Sequence, residues 1–378
     1  MNKKKYIGII GGYGLGGRET AKALLDLSND GILLGGRNLQ KAEAVAYGLG
    51  PRVLADQVDI GNGRSLERFC RRCRLVINCA GPSRRILDTV ALAALNTGIH
   101  YLDMGGDDIL YGHLLPLHPI ICEKGLSFIV STGMYPGLSG LFPAYTADGY
   151  FDRVDSLTAY FVNQGDTLSH TAAYDVIRSM ENDYARGMSG YKNGEIIRTG
   201  MAPVLVDLPF FKEKIAMYPS FTQELKLLAQ SCNIQSIYNY IAPGEAVMKE
   251  LFSIRANTRH MTEEELKKAV DSLVQASHRD TGGKKKRTLF YLVMEGEFRQ
   301  TQRKIKSSLF FEGGSSRLMG IVAAAMAHLT LESYSRAGSY FMFDGVCRKE
   351  FMGVLSKFGI VPVESMEEQP QMDSGVIF

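Results

Sequence analysis

The chain has 378 residues, 45 % of them hydrophobic and 22 % charged, with a formal net charge of +3. That length supports two domains, or one large α/β domain carrying an insertion. So small a charge gives no electrostatic case for a nucleic acid or membrane partner, and no stretch approaches the roughly 18 apolar residues of a membrane span.

The chain opens Met-Asn-Lys-Lys-Lys, a basic start of the kind that precedes a secretory apolar region. The apolar run behind it is only about five residues before glycine interrupts, too short for that role. Lys3–Lys5 is therefore expected to be a solvated lead-in to a first strand. Six cysteines, at 70, 73, 79, 122, 232 and 347, show no framework-like spacing. Cys70-Arg-Arg-Cys73 has no second pair or histidine partner, so no metal site is expected and reducing cytoplasm is the expected compartment.

The first predicted strand, 6–11, breaks into Gly11-Gly-Tyr-Gly-Leu-Gly-Gly17, and a helix opens behind it. Gly12, Gly14 and Gly17 stand in G-x-G-x-x-G register, with Tyr13 and Leu15 between them. In a dinucleotide-binding turn the first glycine allows the tight strand-to-helix bend. The second admits a pyrophosphate to the backbone, and the third lets helix and strand pack closely. The second strand, 31–35, decides which dinucleotide. An NAD site places an acid near its tip, about 20 residues on, to bind the ribose 2′-hydroxyl. Here the tip reads Gly35-Gly36-Arg37-Asn38, with Lys41 one turn later and no acid. An arginine pairs with a 2′-phosphate that an acid would repel, so the expected cofactor is NADP(H).

Further strands at 52–58, 74–79, 99–103 and 127–131 alternate with helices near 17–28, 38–48, 63–71, 84–97 and 114–124. That rhythm predicts a parallel, doubly wound sheet. Leu75-Val-Ile-Asn-Cys79 and Leu126-Ser-Phe-Ile-Val130 are continuous apolar runs, as strands covered on both faces should be. Three loops at the carboxyl ends are rich in special residues: Ala80-Gly81-Pro82, Asp103-Met-Gly-Gly-Asp107 and Thr132-Gly-Met-Tyr135-Pro-Gly137. In open α/β sheets ligands bind on that rim. Ala80, Gly81 and Pro82 join the expected cofactor residues, as does Asp59 after the third strand.

Past residue 150 the pattern changes. Val154–Asn163 alternates like a strand, a helix follows at about 170–186, and 287–312 reads as a long hairpin. Thr262-Glu-Glu-Glu265 is a capping box opening a helix to about 277. The segment 315–334 reads as a buried helix, and the acidic, polar tail from about 364 as loose chain. The expected architecture is α/β, a Rossmann-type sheet with an inserted, mostly antiparallel α+β domain. Its expected division is a nucleotide domain over 1–148, a substrate-binding and dimerisation domain over 149–314, and a helical segment over 315–378 that returns to the first.

Ile10-Gly-Gly-Tyr-Gly-Leu-Gly-Gly17, Leu34-Gly-Gly-Arg-Asn38, Val76-Ile-Asn-Cys-Ala-Gly-Pro82, Tyr101-Leu-Asp-Met-Gly105 and the Gly133…Pro136-Gly137 loop together resemble the saccharopine dehydrogenase-like family of NADP-binding oxidoreductases. The resemblance covers the first 140 residues or so and is only broad beyond them. It implies a Rossmann domain with an inserted sheet domain that often forms homodimers. It also implies hydride transfer between a nicotinamide and a C–N bond, as in saccharopine, opine or cyclic-imine chemistry. Members diverge, and reduction of C=C or carbonyl bonds, or NADP(H) binding without catalysis, stand as alternatives.

Hydride delivery to an imine carbon needs a proton for the nitrogen and often a cation for a substrate carboxylate. On the predicted helix His170, Tyr174 and Arg178 recur every four residues, which would set an acid, a second donor and an anion binder along one stripe. Asp107 and Tyr135 on the rim loops compete as proton-transfer groups, and Gly137 lies where a substrate would pass. The expected partner is a small amine, imine or amino-acid-derived substrate.

Overall fold

The computed structural model describes residues 6–180, 186–200, 202–255 and 261–368. Lys3–Lys5, residues 181–185 of the helix expected over 170–186, and the tail past 368 lie outside them. The alternating first part forms β1 (Tyr6–Ile10), α1 (Leu15–Leu27), β2 (Gly31–Gly36), α2 (Leu39–Leu49), β3 (Val53–Gln57), α3 (Gly63–Arg72), β4 (Cys73–Asn78), α4 (Ser83–Ile86), α5 (Thr89–Thr97), β5 (His100–Asp103), α6 (Asp108–Leu114), α7 (His118–Glu123), β6 (Ser127–Val130) and α8 (Leu138–Tyr150). Their strands pair in parallel, with β4 beside β1 and the order reversing there. That reversal is the crevice position of a doubly wound sheet. Ile7, Ile9, Leu33, Leu34, Val76 and Ile77 are fully or almost fully buried, which explains the unbroken apolar runs. Cys70 and Cys73 are part of this core rather than a surface motif.

Two helix boundaries depart from expectation. The segment expected as one helix over 84–97 splits into α4 and α5 at Leu87, whose φ of 48° cannot continue a right-handed helix. The helix expected at 114–124 begins earlier, at Asp108. Asp107 caps it through a bond from the Ile109 N–H (3.0 Å), and Pro116 and Pro119 break the segment beyond Leu114 into shorter turns.

The remaining elements are β7 (Arg153–Gln164), α9 (His170–Ser179), β8 (Arg186–Gly187), β9 (Ser189–Lys192), β10 (Glu195–Arg198), β11 (Val204–Val206), β12 (Ile215–Phe221), α10 (Gln223–Ser231), β13 (Ile234–Ile241), α11 (Glu245–Arg255), α12 (Glu263–Thr281), β14 (Arg287–Phe298), β15 (Thr301–Glu312), α13 (Ser315–Leu331), β16 (Gly338–Phe341), α14 (Met342–Gly345), α15 (Arg348–Ser356) and β17 (Val363–Glu368). They build a second, mixed sheet with the core order β10-β9-β13-β7-β14-β15-β17. The hairpin runs in register from Arg287↔Glu312 to Phe298↔Thr301, and the Thr262–Glu265 capping box opens α12. The Rossmann-type sheet with a mostly antiparallel second sheet is thus as expected.

After the second sheet the chain returns. Helix α13 packs on α1, where Gly320 lets the helices approach; a Cβ there would meet the Glu19 backbone at 2.5 Å. Strand β16 then joins β6 as a seventh parallel strand. Of the tail expected as loose chain from about 364, residues 364–368 instead belong to β17 and pair with β15, and 369–378 lie outside the described residues. Opposite charge holds it: Lys306 bonds Glu367 at 2.7 Å, and Ser307 donates to Glu364 at 3.2 Å.

Candidate functional site

The turn between β1 and α1 is built from backbone approaches that exclude side chains. Gly11 adopts φ +76°, and its N–H and that of Gly12 donate to Gly35 O at 2.9 and 3.1 Å. A Cβ on Gly17 would stand 2.4 Å from Gly11 O, so only glycine lets α1 start this close to β1. Gly14 is the N-cap, no side chain caps the helix, and its first turn carries no acid. The free N–H groups of the first turn therefore face outward, as a pyrophosphate requires.

At the tip of β2 Arg37 and Lys41 are exposed and, among the described residues, bonded to no acid. Asn38 caps α2 by accepting from the Lys41 N–H (2.9 Å), which fixes where Lys41 leaves the helix. The Tyr13 ring lies over Gly36, where a Cβ would meet Cε1 at 2.3 Å. Leu15 is exposed beside the turn, and Asp59 is exposed after β3, accepting from Gly61 N–H at 3.0 Å. These residues suit a 2′-phosphorylated ribose: two free cations and no competing carboxylate at the strand tip. Arg37→Asp is expected to cut NADPH affinity about tenfold or more while sparing NADH. Parallel fluorescence titrations with the two cofactors measure it, and an unchanged ratio would remove Arg37 from the site.

The three rim loops are tied to one another. Asp103, buried at the end of β5, accepts from Asn78 Nδ2 (2.9 Å), Tyr101 Oη, and the N–H groups of Gly105 (3.0 Å) and Gly106. Burial pushes its carboxyl above the ordinary range, and these donors oppose that. Asn78 Oδ1 accepts from the Ala80 N–H (3.2 Å), and Thr132 N–H donates to Asp103 O (2.8 Å). Gly81 stands beside Thr171, a Cβ on Gly81 meeting it at 3.3 Å.

Tyr135 is stacked on Phe161 of β7 (5.2 Å between ring centroids). Its hydroxyl donates to Ser220 Oγ (3.0 Å) and accepts from Asn239 Nδ2 (2.9 Å), so it is fully engaged with the second sheet. Burial raises the phenol to about 12, making it a poor acid near neutrality. Gly137, at φ +127°, ends this loop and donates its N–H to Glu224 Oε2 at 3.3 Å.

The three residues of the stripe expected on α9 meet different neighbours. His170 is exposed, and its ring turns to Asp271 of α12 (Nε2–Oδ1 3.2 Å). Tyr174 is buried in the cluster of α9, α11 and α12, its ring beneath the Arg85 guanidinium (4.7 Å) with Arg178 also on it (5.9 Å). The face of α9 that meets the rim carries Thr171 and Asp175 instead, four residues apart. Asp175 accepts from the N–H groups of Ser83 (2.9 Å) and Arg84 (3.1 Å), capping α4 across the two sheets. Beside it Arg84, its side chain only 7 % exposed, pairs with the less buried Asp107.

Below the Tyr135 loop, Glu224 of α10 and Asp108 of α6 each accept from the N–H at the start of another helix. Glu224 Oε2 accepts from Gly137 N–H at the start of α8, and Asp108 Oδ2 accepts from Gln223 N–H (3.1 Å) at the start of α10. Desolvation is the leading cause in both, raising Glu224 to about 8 and Asp108 to about 6.

Sequence reasoning therefore missed Asp103, Asp108, Asp175, Glu224 and Arg84. Two signals were present: Tyr101 and Asp103 are two apart on one strand face, and Thr171 and Asp175 share a helix face. Nothing local marks Glu224, whose partner is 87 residues away.

Residues 7–128 match the family model described as saccharopine dehydrogenase NADP binding domain. A saccharopine dehydrogenase-like oxidoreductase of Rattus norvegicus is 32 % identical over 100 residues, covering 25 % of this chain and 23 % of that protein. Its Homo sapiens counterpart is 29 % identical over 128 residues, 30 % of each chain. The matches thus span less than a third of those relatives' length. Apo saccharopine dehydrogenase (L-Glu forming) from Saccharomyces cerevisiae shares the fold at a TM-score of 0.70 and 14 % identity, over 96 % of this chain and 100 % of that one. The first third of the chain accordingly matches a saccharopine dehydrogenase NADP-binding domain, which supports NADP(H) as the cofactor, and the chain as a whole shares the fold of that solved structure.

Proposed function

We propose that this chain is an NADPH-dependent oxidoreductase that transfers hydride to or from a C–N bond of a small amine- or imine-bearing substrate. The named relatives are oxidoreductases, and the solved structure sharing the fold is a dehydrogenase. Bound NADPH supplies the hydride. The chain's own part is to hold the substrate on the rim and to deliver or take the nitrogen's proton.

The observation that carries the reading is the Asp107–Arg84 pair. It lies at the end of the middle rim loop, beside the cap that Asp175 places on α4. Asp107 is 23 % exposed, whereas Arg84 is almost sealed, so the carboxylate keeps access to a ligand while the guanidinium fixes its position. Asp107 holds Arg84 and the Ile109 N–H through separate oxygens, each with a second lone pair to spare, and it is the group we assign to proton transfer. Tyr135 and Phe161 then form the apolar wall that excludes water from the reacting carbon.

Loss of NADPH absorbance on mixing with a panel of cyclic imines and oxo-acid/amine pairs is the test. Asp107→Asn is expected to lower kcat by about 100-fold or more, the usual share of a general acid. His170→Ala is expected to stay within about threefold of wild type. Turnover of enones or carbonyls but of no imine would overturn the C–N reading, and turnover insensitive to Asp107→Asn would overturn its role.

A further inference from the structure

Asp103 is 1 % exposed and touches no ligand surface, yet every hydrogen-bonding site on its side chain is used. A carboxylate offers about four lone-pair directions. Two on Oδ1 take the Gly105 and Gly106 N–H groups of its own loop, and two on Oδ2 take Asn78 Nδ2 and Tyr101 Oη. Its backbone carbonyl takes both the N–H (2.8 Å) and the hydroxyl (3.1 Å) of Thr132. The bonds continue outward. Asn78 Oδ1 holds the Ala80 N–H, Asn78 O holds the Met104 N–H at 3.0 Å, and Ser131 Oγ donates to Gly106 O at 2.6 Å.

One buried residue is thus the common anchor of the three loops: its side chain ties the loops after β4 and β5, and its backbone carbonyl holds Thr132 of the loop after β6. We propose that Asp103 is a positioning residue for the nicotinamide half of the cofactor: it sets the spacing of the three loops on which that half rests. The adenosine half lies at the tips of β1 and β2, whose turn is closed by Gly11, Gly12 and Gly35 without any bond to Asp103. The two halves of the site are therefore separately supported, and a change at Asp103 should divide them. Asparagine in its place would turn an N–H toward Asn78 Nδ2 or toward the two glycine N–H groups, setting donor against donor in a buried position. Asn78 has no freedom to rotate in response, because its own oxygen is held by Ala80.

The test uses the full chain and two probes. NADPH reports the whole site through its own emission, which no tryptophan obscures because the chain has none. The fragment 2′,5′-ADP, followed by calorimetry, reports the adenosine half alone. Asp103→Asn is expected to raise the NADPH Kd about tenfold and to reduce the emission change at saturation, while 2′,5′-ADP stays within about twofold. Asn78→Ser removes one arm of the network and should show the same split at about threefold, which keeps the proposal open to test if Asp103→Asn does not fold. Equal weakening of both probes would reduce Asp103 to a purely structural role, and no weakening of either would remove it from the site; both outcomes overturn the proposal. The readout is binding, so it stands apart from the identity of the substrate.

Discussion

Gly17→Ala is expected to abolish NADPH binding in fluorescence titration, raising Kd by about 100-fold or more, about 2.7 kcal/mol. The reason is steric and local. The added methyl would sit 2.4 Å from Gly11 O, 2.8 Å from Gly12 Cα and 3.0 Å from Gly11 C. All three are backbone atoms of the turn itself, so no side chain can swing aside. Gly11 O already accepts the Gly14 N–H at 2.9 Å, and the same turn is stitched to Gly35 by two more bonds. Relief requires either that α1 move off β1 or that the turn open. Either movement carries away the N–H groups that would face the pyrophosphate. Gly16→Ala is the contrast: its methyl would meet Met104 Sδ at 2.8 Å, within a flexible side chain, and should cost no more than about threefold. Equal effects at the two positions would show that the loss at Gly17 is not a matter of backbone approach. The thermal midpoint of each variant separates lost binding from lost folding.

The same contrast explains what could be read from the sequence. The glycines of the first turn, the bare tip of β2 and the apolar strands are set by sterics or burial acting within a few residues, and a short window displays them. The α4–α5 break was invisible because Leu87, not glycine or proline, turns the chain there. Strand β17 was misread because Val363-Glu-Ser-Met-Glu-Glu looks like solvated chain on its own; its cause is the ladder with β15, whose Lys306 lies 61 residues from its partner Glu367. The polar part of the site fails for the same reason. Asp175 caps a helix 92 residues earlier, and Glu224 reaches one 87 residues earlier, so only tertiary structure reveals that they are helix caps. His170, Tyr174 and Arg178 show the converse error. Their spacing does place them near one another, but periodicity says which residues share a face, not which neighbour that face meets.

Glu224→Gln is expected to flatten the fall of stability between pH 4.5 and about 8, and so to raise the thermal midpoint at pH 9, by roughly 5 °C. Burial raises the Glu224 carboxyl from 4.5 to about 8, with the Asp108 carboxyl across from it adding to the shift. The Gly137 N–H and Ser139 hydroxyl act the other way, and Tyr135 is the remaining titratable group nearby. A folded-state value above the unfolded one means that, between pH 4.5 and about 8, the native chain holds a proton that the unfolded chain has lost. Stability therefore falls as pH rises through that window and levels off above it, a loss on the order of a few kcal/mol. Asp108, raised from 3.8 to about 6, tilts the curve the same way at lower pH. Glutamine keeps an oxygen for the Gly137 N–H and cannot ionise. It also places an NH₂ where Oε1 has no partner, a cost that is the same at every pH. The slope of midpoint against pH, rather than its absolute level, is thus the readout. Parallel curves for wild type and Glu224→Gln from pH 5 to 9 would show that Glu224 is ionised throughout. Asp108→Asn should flatten only the part below about pH 6, because each carboxyl acts across its own interval. Both groups cap helices across the two sheets. Ionising Glu224 sets it against Asp108 in a sealed space and loosens the Gly137 end of the Tyr135 loop, so the loss of stability on ionisation should begin at that loop.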